Sequence, residues 1–261
     1  MIMIQRFDHI NDESDRAVLM RVSDIMSSAE KWGKPCFSNF LTEHEQAVIS
    51  EQLRGCIGKS NYFYGGYELA QRKIFCALPD FFSYSDVEVD YPFKAVTMIF
   101  PKGYSVTHRD ILGSLMALRI KREAVGDILV GDCLAVVFIC EPAASLVVSE
   151  LVKIGGVGVS CSFGAPDELP DPYKLELHSG VVSSMRIDAV VSMITDLSRS
   201  ESAKLINSGS VMRNAQIITS VSKEVDESDK ISVRGYGKFQ IERIGGTTRK
   251  GRLHVIYNKF I

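Results

Sequence analysis

The residues best suited to chemistry on a partner molecule lie in the last third of the chain. They are Arg186, Ser198, Arg199, Ser200, Lys204, Arg213 and Asn214, with Arg249, Lys250 and Arg252 near the end. Lysine offers a flexible point charge and arginine a planar fork that matches phosphate. Serine and asparagine add neutral hydrogen bonds to phosphate or a 2′-hydroxyl. Regional charge agrees with this. Residues 185–261 carry 13 Lys and Arg against 8 Asp and Glu, whereas residues 1–184 carry 17 against 24. A basic stretch on an otherwise acidic chain implies an anionic partner for that stretch alone. The alternatives are chance asymmetry and an ordinary solvated helix face.

Other constellations are weaker. His108-Arg109-Asp110 contains groups that move protons, but neighbours on a helix point in different directions, and no Ser or Cys nucleophile stands beside them. A helix-start role, structural or RNA-contacting, suits them better. Arg119, Lys121 and Arg122 form a second basic cluster, which together with Arg109 makes a secondary RNA-binding candidate; a solvated helix end is an equal reading. Six cysteines (Cys36, Cys56, Cys76, Cys133, Cys140 and Cys161) show no C-x-x-C pair. Zinc is therefore not expected, and most of the thiols should be small core residues. Gly155-Gly156-Val157-Gly158 follows a helix and precedes a strand, the wrong order for a nucleotide-binding loop; its expected job is to end that helix. No catalytic residue, metal or cofactor is expected.

The elements that must position these groups can be read from periodicity. At 261 residues, 46% hydrophobic and 24% charged, the chain suits two or three soluble domains. No apolar run approaches the roughly 20 residues of a membrane span. The start, MIMIQRFDHINDES, turns acidic too early for a secretory signal, so a cytoplasmic location is expected. Val18, Val22, Ile25, Ala29 and Trp32 recur at helical spacing. Thr42 and Glu45 form a capping box for a second helix that should stop at Gly55. Residues 1–75 thus read as a helix-rich domain with aromatic strand or loop material over 61–67.

Residues 76–180 have a clearer rhythm: a strand over 94–100, a helix from His108 capped by Thr107, two strands around Gly131-Asp132, a helix after Pro142 and a strand over 157–163. That order, β-α-β-β-α-β, is the ferredoxin-like pattern. The common RNA-recognition domain shares it and stacks bases on strand aromatics. Here Phe100 and Phe138 sit in strongly apolar runs, and core packing explains them better. The proline- and acid-rich stretch 165–172 punctuates the chain, and a strand over 175–182 leads into the third domain, 181–261. There Ile187, Val190, Val191 and Ile194 mark one helix face; Ser198 starts a second helix, with Ala203 and Ile206 inward and Gly209 at its end. A turn over 211–216 and a strand over 229–233 follow. The class is α+β.

Two resemblances follow from these residues. Arg186-Ile187-Asp188, Ser198-Arg199-Ser200, the run from Ile206 through Gly209 to Asn214, and the Asp229–Ile231 strand resemble the S-four domain, an RNA-binding module named after a small-subunit ribosomal protein. The resemblance covers about 184–233. It implies RNA contacts from Ser198, Arg199, Ser200 and Lys204, with Arg213 and Asn214 in the following turn. One departure is Ala215 where the family has glycine; a positive φ costs more there with a side chain. The segment His108–Glu123, followed by Gly126-Asp127-Ile128, resembles the central signature of the YlmH family. This implies a non-catalytic protein that binds rRNA and tRNA, and association with large ribosomal subunits carrying peptidyl-tRNA in ribosome-associated quality control. The histidine and lysine signatures of tyrosyl-tRNA synthetases are missing, as is the T-x-G of pseudouridine synthases. The rival readings are an RNA-modifying enzyme with its site in residues 1–184 and a cell-division adaptor.

Overall fold

The computed structural model describes residues 7, 10–54, 57, 58, 60–82 and 90–261. The chain divides into two compact units, Met1–Pro172 and Tyr173–Ile261.

The first unit opens with helix α1 (Glu13–Trp32). Asp12 caps it by accepting the N–H groups of Ser14 and Asp15, two of the donors that any helix start leaves open. Of the expected stripe, Val18, Val22 and Ala29 are buried and Ile25 is partly buried, and Leu19, outside that stripe, is buried with them. Trp32 is a correction. It is the last helical residue, past the packed stripe, and stands 59% exposed with the Lys34 ammonium 5.6 Å from its ring. Strand β1 (Cys36–Leu41), helix α2 (Glu43–Gln52) and strands β2 (Asn61–Tyr64) and β3 (Lys73–Ala77) follow, the strands forming an antiparallel sheet in the order β1-β3-β2. The Thr42–Glu45 capping box starts α2 as expected. Its expected stop, Gly55, and Cys56 lie outside the described residues.

The ferredoxin-like part runs β4 (Phe93–Ile99), α3 (His108–Ala117), β5 (Val125–Val130), β6 (Leu134–Cys140), α4 (Ala143–Glu150), a ribbon of β7 (Lys153–Ile154) and β8 (Val157–Gly158), and β9 (Ser160–Phe163). Its sheet order is β5-β6-β4-β9, with every neighbouring pair antiparallel. A Thr107–Asp110 capping box starts α3. Gly155 and Gly156 turn the β7–β8 ribbon and do not end α4, which stops at Glu150.

Strand side chains alternate between faces, and over β5 and β6 both faces are covered, while Ile99 and most of β9 stay exposed. Val96, Met98, Val125, Ala135, Val137 and Ile139 pack on Ile111 and Leu115 of α3 and on Ala144 and Val147 of α4. Phe93, Leu129, Val136, Phe138 and Cys140 pack on Phe40, Ile74 and Cys76 of the three-stranded sheet. Each such side chain contributes about 1.5–3 kcal/mol. Phe100 and Phe138 are both 3% exposed and belong to the core. The boundary expected between 75 and 76 falls inside β3, because that strand packs on both its neighbours and the second sheet. The one expected between 180 and 181 falls inside β10.

The second unit contains β10 (Leu175–Val182), α5 (Ile187–Thr195), α6 (Arg199–Asn207), β11 (Val211–Arg213), β12 (Gln216–Ile217), β13 (Lys230–Val233), β14 (Gly237–Thr247) and β15 (Leu253–Phe260). The sheet order is β10-β15-β14-β13-β11-β12. Ile187, Val190, Val191 and Ile194 of α5 and Ile206 of α6 share a core with Val211, Ile231, Val233, Phe239, Ile241 and Val255. On α6 the fully buried neighbour of Ile206 is Ser202; Ala203, expected inward, is half-buried. The Ser202 hydroxyl donates to the Ser198 carbonyl at 3.0 Å, which lets a polar side chain lie inside.

Candidate RNA-binding surface

The α5–α6 pair is built around one carboxylate. Asp188, in the first turn of α5, has a side chain only 10% exposed. Its Oδ1 accepts Arg186 Nε at 3.2 Å and the Ala189 N–H at 3.0 Å. Its Oδ2 accepts Arg199 Nε at 3.2 Å and Nη2 at 2.5 Å. Burial pushes the Asp188 carboxyl up, but the hydrogen bonds and charges of Arg199 and Arg186 more than reverse this and hold it below the usual range. The Arg186 and Arg199 side chains are 43% and 47% exposed. These bonds use one N–H of Arg186 and two of Arg199, out of five on each fork. Asp188 therefore fixes two partly exposed cations side by side while most of their donors stay available. That is an arrangement for phosphate: positive, forked and already oriented.

Around this pair the expected residues divide by role. Ser198 caps α6, its hydroxyl donating to Glu201 Oε2 at 2.6 Å and accepting the Glu201 N–H at 3.3 Å. The capping box thus occupies a group expected to face RNA. Ser200 lies 3.0 Å from that hydroxyl, and Arg199, Ser200 and Lys204 are exposed on the same helix. Arg213 points inward. It is 17% exposed and bonds Asp229 through Nε at 2.5 Å and Asp226 through Nη2 at 2.8 Å; the Asp229 hydrogen bond, foremost, raises its pKa. Asn214 bonds Asp229 Oδ1 through Nδ2 at 2.7 Å and accepts the Lys230 N–H at 2.9 Å. Arg213 and Asn214 therefore hold the turn, in which Asn214 and Ala215 take φ of 51° and 64°. The positive φ considered for Ala215 is present. Arg249, Lys250 and Arg252 are exposed between β14 and β15.

In the first unit, Arg109, Arg119 and Lys121 are exposed, Lys121 lying 3.9 Å from Glu123. Arg122 turns inward, donating to the Val125 carbonyl at 2.6 Å. The Gly126-Asp127 pair explains the signature in structural terms. Asp127 accepts the Tyr67 hydroxyl at 2.8 Å and the Gln71 and Arg72 N–H groups at 2.7 and 3.0 Å. Arg72 in turn donates to the Val125 and Phe40 carbonyls, its pKa brought down to about 10 by burial and by Arg122. His108 is lowered by partial desolvation and by Arg122, while Asp110 is held by the Thr107 cap. His and Asp do not form a relay. Among the described residues no group of three His, Cys, Asp or Glu is placed to hold a metal ion, and no helix is long and apolar enough to cross a membrane.

Sequence reasoning passed over Asp188 as a part of the site. The Arg-Ile-Asp spacing carried the signal: a carboxylate two residues from an arginine at a helix start, with a second arginine across the turn.

Comparison with known proteins agrees with the two halves. The family model described as "Putative RNA-binding domain in YlmH" matches residues 82–164, and the S4 domain model matches residues 185–231. A ferredoxin-like domain followed by an S-four module defines an RNA-binding protein. "Ribosome-associated protein quality control protein P2" of Bacillus subtilis (strain 168) is 30% identical over 224 residues, which covers 85% of this chain and 86% of that protein. The chain belongs to the YlmH family. The solved "Cell division protein ylmH from Streptococcus pneumoniae" aligns at a TM-score of 0.47 and 23% identity over 62% of this chain and 96% of its own.

Proposed function

We propose that this protein is a non-catalytic, monomeric cytoplasmic factor that holds structured RNA of the ribosome. It engages rRNA and tRNA on a large subunit that carries peptidyl-tRNA during ribosome-associated quality control. The observation that carries this reading is the Asp188-anchored pair of guanidinium groups, with exposed Lys204 on the same helix as Arg199, within the stretch matched as an S-four domain. The quality-control context rests on the Bacillus subtilis relative and its printed name.

Capture is electrostatic. Arg186, Arg199, Lys204 and the 249–252 loop supply roughly five phosphate contacts, so affinity falls with salt at a log–log slope of about −3 to −5. Replacing Arg199 and Lys204 together with alanine should weaken binding of a hairpin RNA and flatten that slope by about 2. Fluorescence anisotropy at several salt concentrations reads both. A folded double variant that binds with wild-type affinity and slope contradicts the assignment of this face. Nucleoside masses unchanged after incubation of RNA with the protein are the expected result for a non-catalytic binder.

A further inference from the structure

The β13–β14 turn exposes an aromatic residue beside Arg234 in sequence, while Lys238 at its far end places its ammonium 5.3 Å from the Phe260 ring. Val233 pairs with Gly237, leaving Arg234-Gly235-Tyr236 as the loop. Gly235 and Gly237 take φ of 87° and 123°, the left-handed region that glycine tolerates without cost. Neither is crowded, since an added Cβ would meet nothing closer than 4.0 Å. The glycines are therefore there to shape the backbone, and the shape lifts Tyr236 out. Its ring is 40% exposed, flanked in sequence by exposed Arg234 and half-buried Lys238. The Arg234 N–H donates to the Ser210 carbonyl at 3.0 Å. This ties the tip to the segment that ends α6, the helix of Arg199 and Lys204. No ion pair among the described residues engages the Arg234 guanidinium.

From this juxtaposition we infer that the Arg234–Lys238 tip is a second RNA contact, at which the Tyr236 ring stacks on an unpaired base while Arg234 neutralises an adjacent phosphate. The inference rests on the reading of this unit as an RNA binder and narrows it: the preferred RNA has an unstacked nucleotide next to a helical segment. An aromatic face serves any base and adds affinity without adding charge. A uniform duplex offers no such face.

The test uses the full-length protein and a hairpin RNA with 2-aminopurine at an unpaired loop position, alongside a blunt duplex of the same stem. Wild-type protein should quench the fluorophore on binding. Tyr236→Ala should lose that quenching and weaken hairpin binding by roughly five- to a hundredfold, with the salt slope and duplex affinity unchanged. Tyr236→Phe should keep both quenching and affinity, because the ring and not the hydroxyl stacks. Arg234→Ala should keep the quenching and reduce the salt slope by about 1. If Tyr236→Ala quenches and binds as wild type while the Arg199/Lys204 variant is weakened, the stacking site is overturned and the RNA reading stands. If neither variant changes binding, both fall together.

Discussion

Asp229 accepts Arg213 Nε, Asn214 Nδ2 and the Asp226 N–H within one buried site. Burial alone would raise its pKa, but these donors, Arg213 foremost, leave it below the ordinary 3.8, as Arg199 and Arg186 do for Asp188. A carboxyl lowered in the folded chain contributes stability that is complete above 3.8 and is lost as pH falls through its native value. Urea denaturation followed into the acid range should therefore show stability falling with pH, and Asp229→Asn should flatten that limb. Asp229→Ala, which leaves Arg213 with only the exposed Asp226, should cost about 3 kcal/mol at neutral pH. A cost near zero would mean that the turn does not depend on the pair. The placement of Arg199 and Lys204 as exposed cations on α6 was readable in the sequence because charge and helix spacing are local. The inward turn of Arg213 was not, because its partner lies sixteen residues on and nothing in the spacing joins them.

Capping boxes and helix stripes were readable for the same reason of locality. The Thr42–Glu45 box and the Thr107 cap each act within one turn and are found as expected, and Asp110 adds a reciprocal bond that makes the second cap a box as well. The long β14–β15 hairpin was not anticipated. Its pairing shifts register between Ile241 and Arg243 and again between Ile244 and Thr247, which scrambles the alternation that marks a strand. Gly126 shows what the sequence conceals about close packing. A Cβ there would lie 2.7 Å from Phe40 Cε1 and 3.1 Å from the Phe138 carbonyl. Gly126→Ala should therefore destabilise the first unit by about 1–3 kcal/mol, measured by thermal or urea unfolding, with RNA binding by the second unit unchanged. Ala215→Gly should act in the opposite sense. It relieves a side chain at φ 64° and should stabilise the turn by up to about 1 kcal/mol in urea unfolding.

Across the chain, the ferredoxin-like sheet is covered where RNA-recognition domains present their strand aromatics, while its β4–β9 edge, with Ile99, Ser160, Ser162 and Phe163, is exposed. Helices cover one side and the three-stranded sheet covers Phe93 and Phe138 on the other. The domain division at 75 could not be read because β3 alternates into two cores at once, with Phe75 on the α1 side and Ile74 and Cys76 on the other. If the first unit touches RNA, it does so through exposed Arg109, Arg119 and Lys121 and not through its strands. As a secondary contact they should, when all three are replaced by alanine, weaken hairpin-RNA binding by less than the Arg199/Lys204 pair does, as the same anisotropy titration would show.

On the proposed function, the α5–α6 surface is where this protein meets ribosomal RNA. Photo-crosslinking on native ribosomes, from a benzophenone side chain placed at position 204 in the full-length protein, addresses it directly. The expected result is crosslinking to rRNA or tRNA of the large subunit that is lost in high salt. Crosslinks to protein alone, from a variant that still sediments with ribosomes, would contradict it.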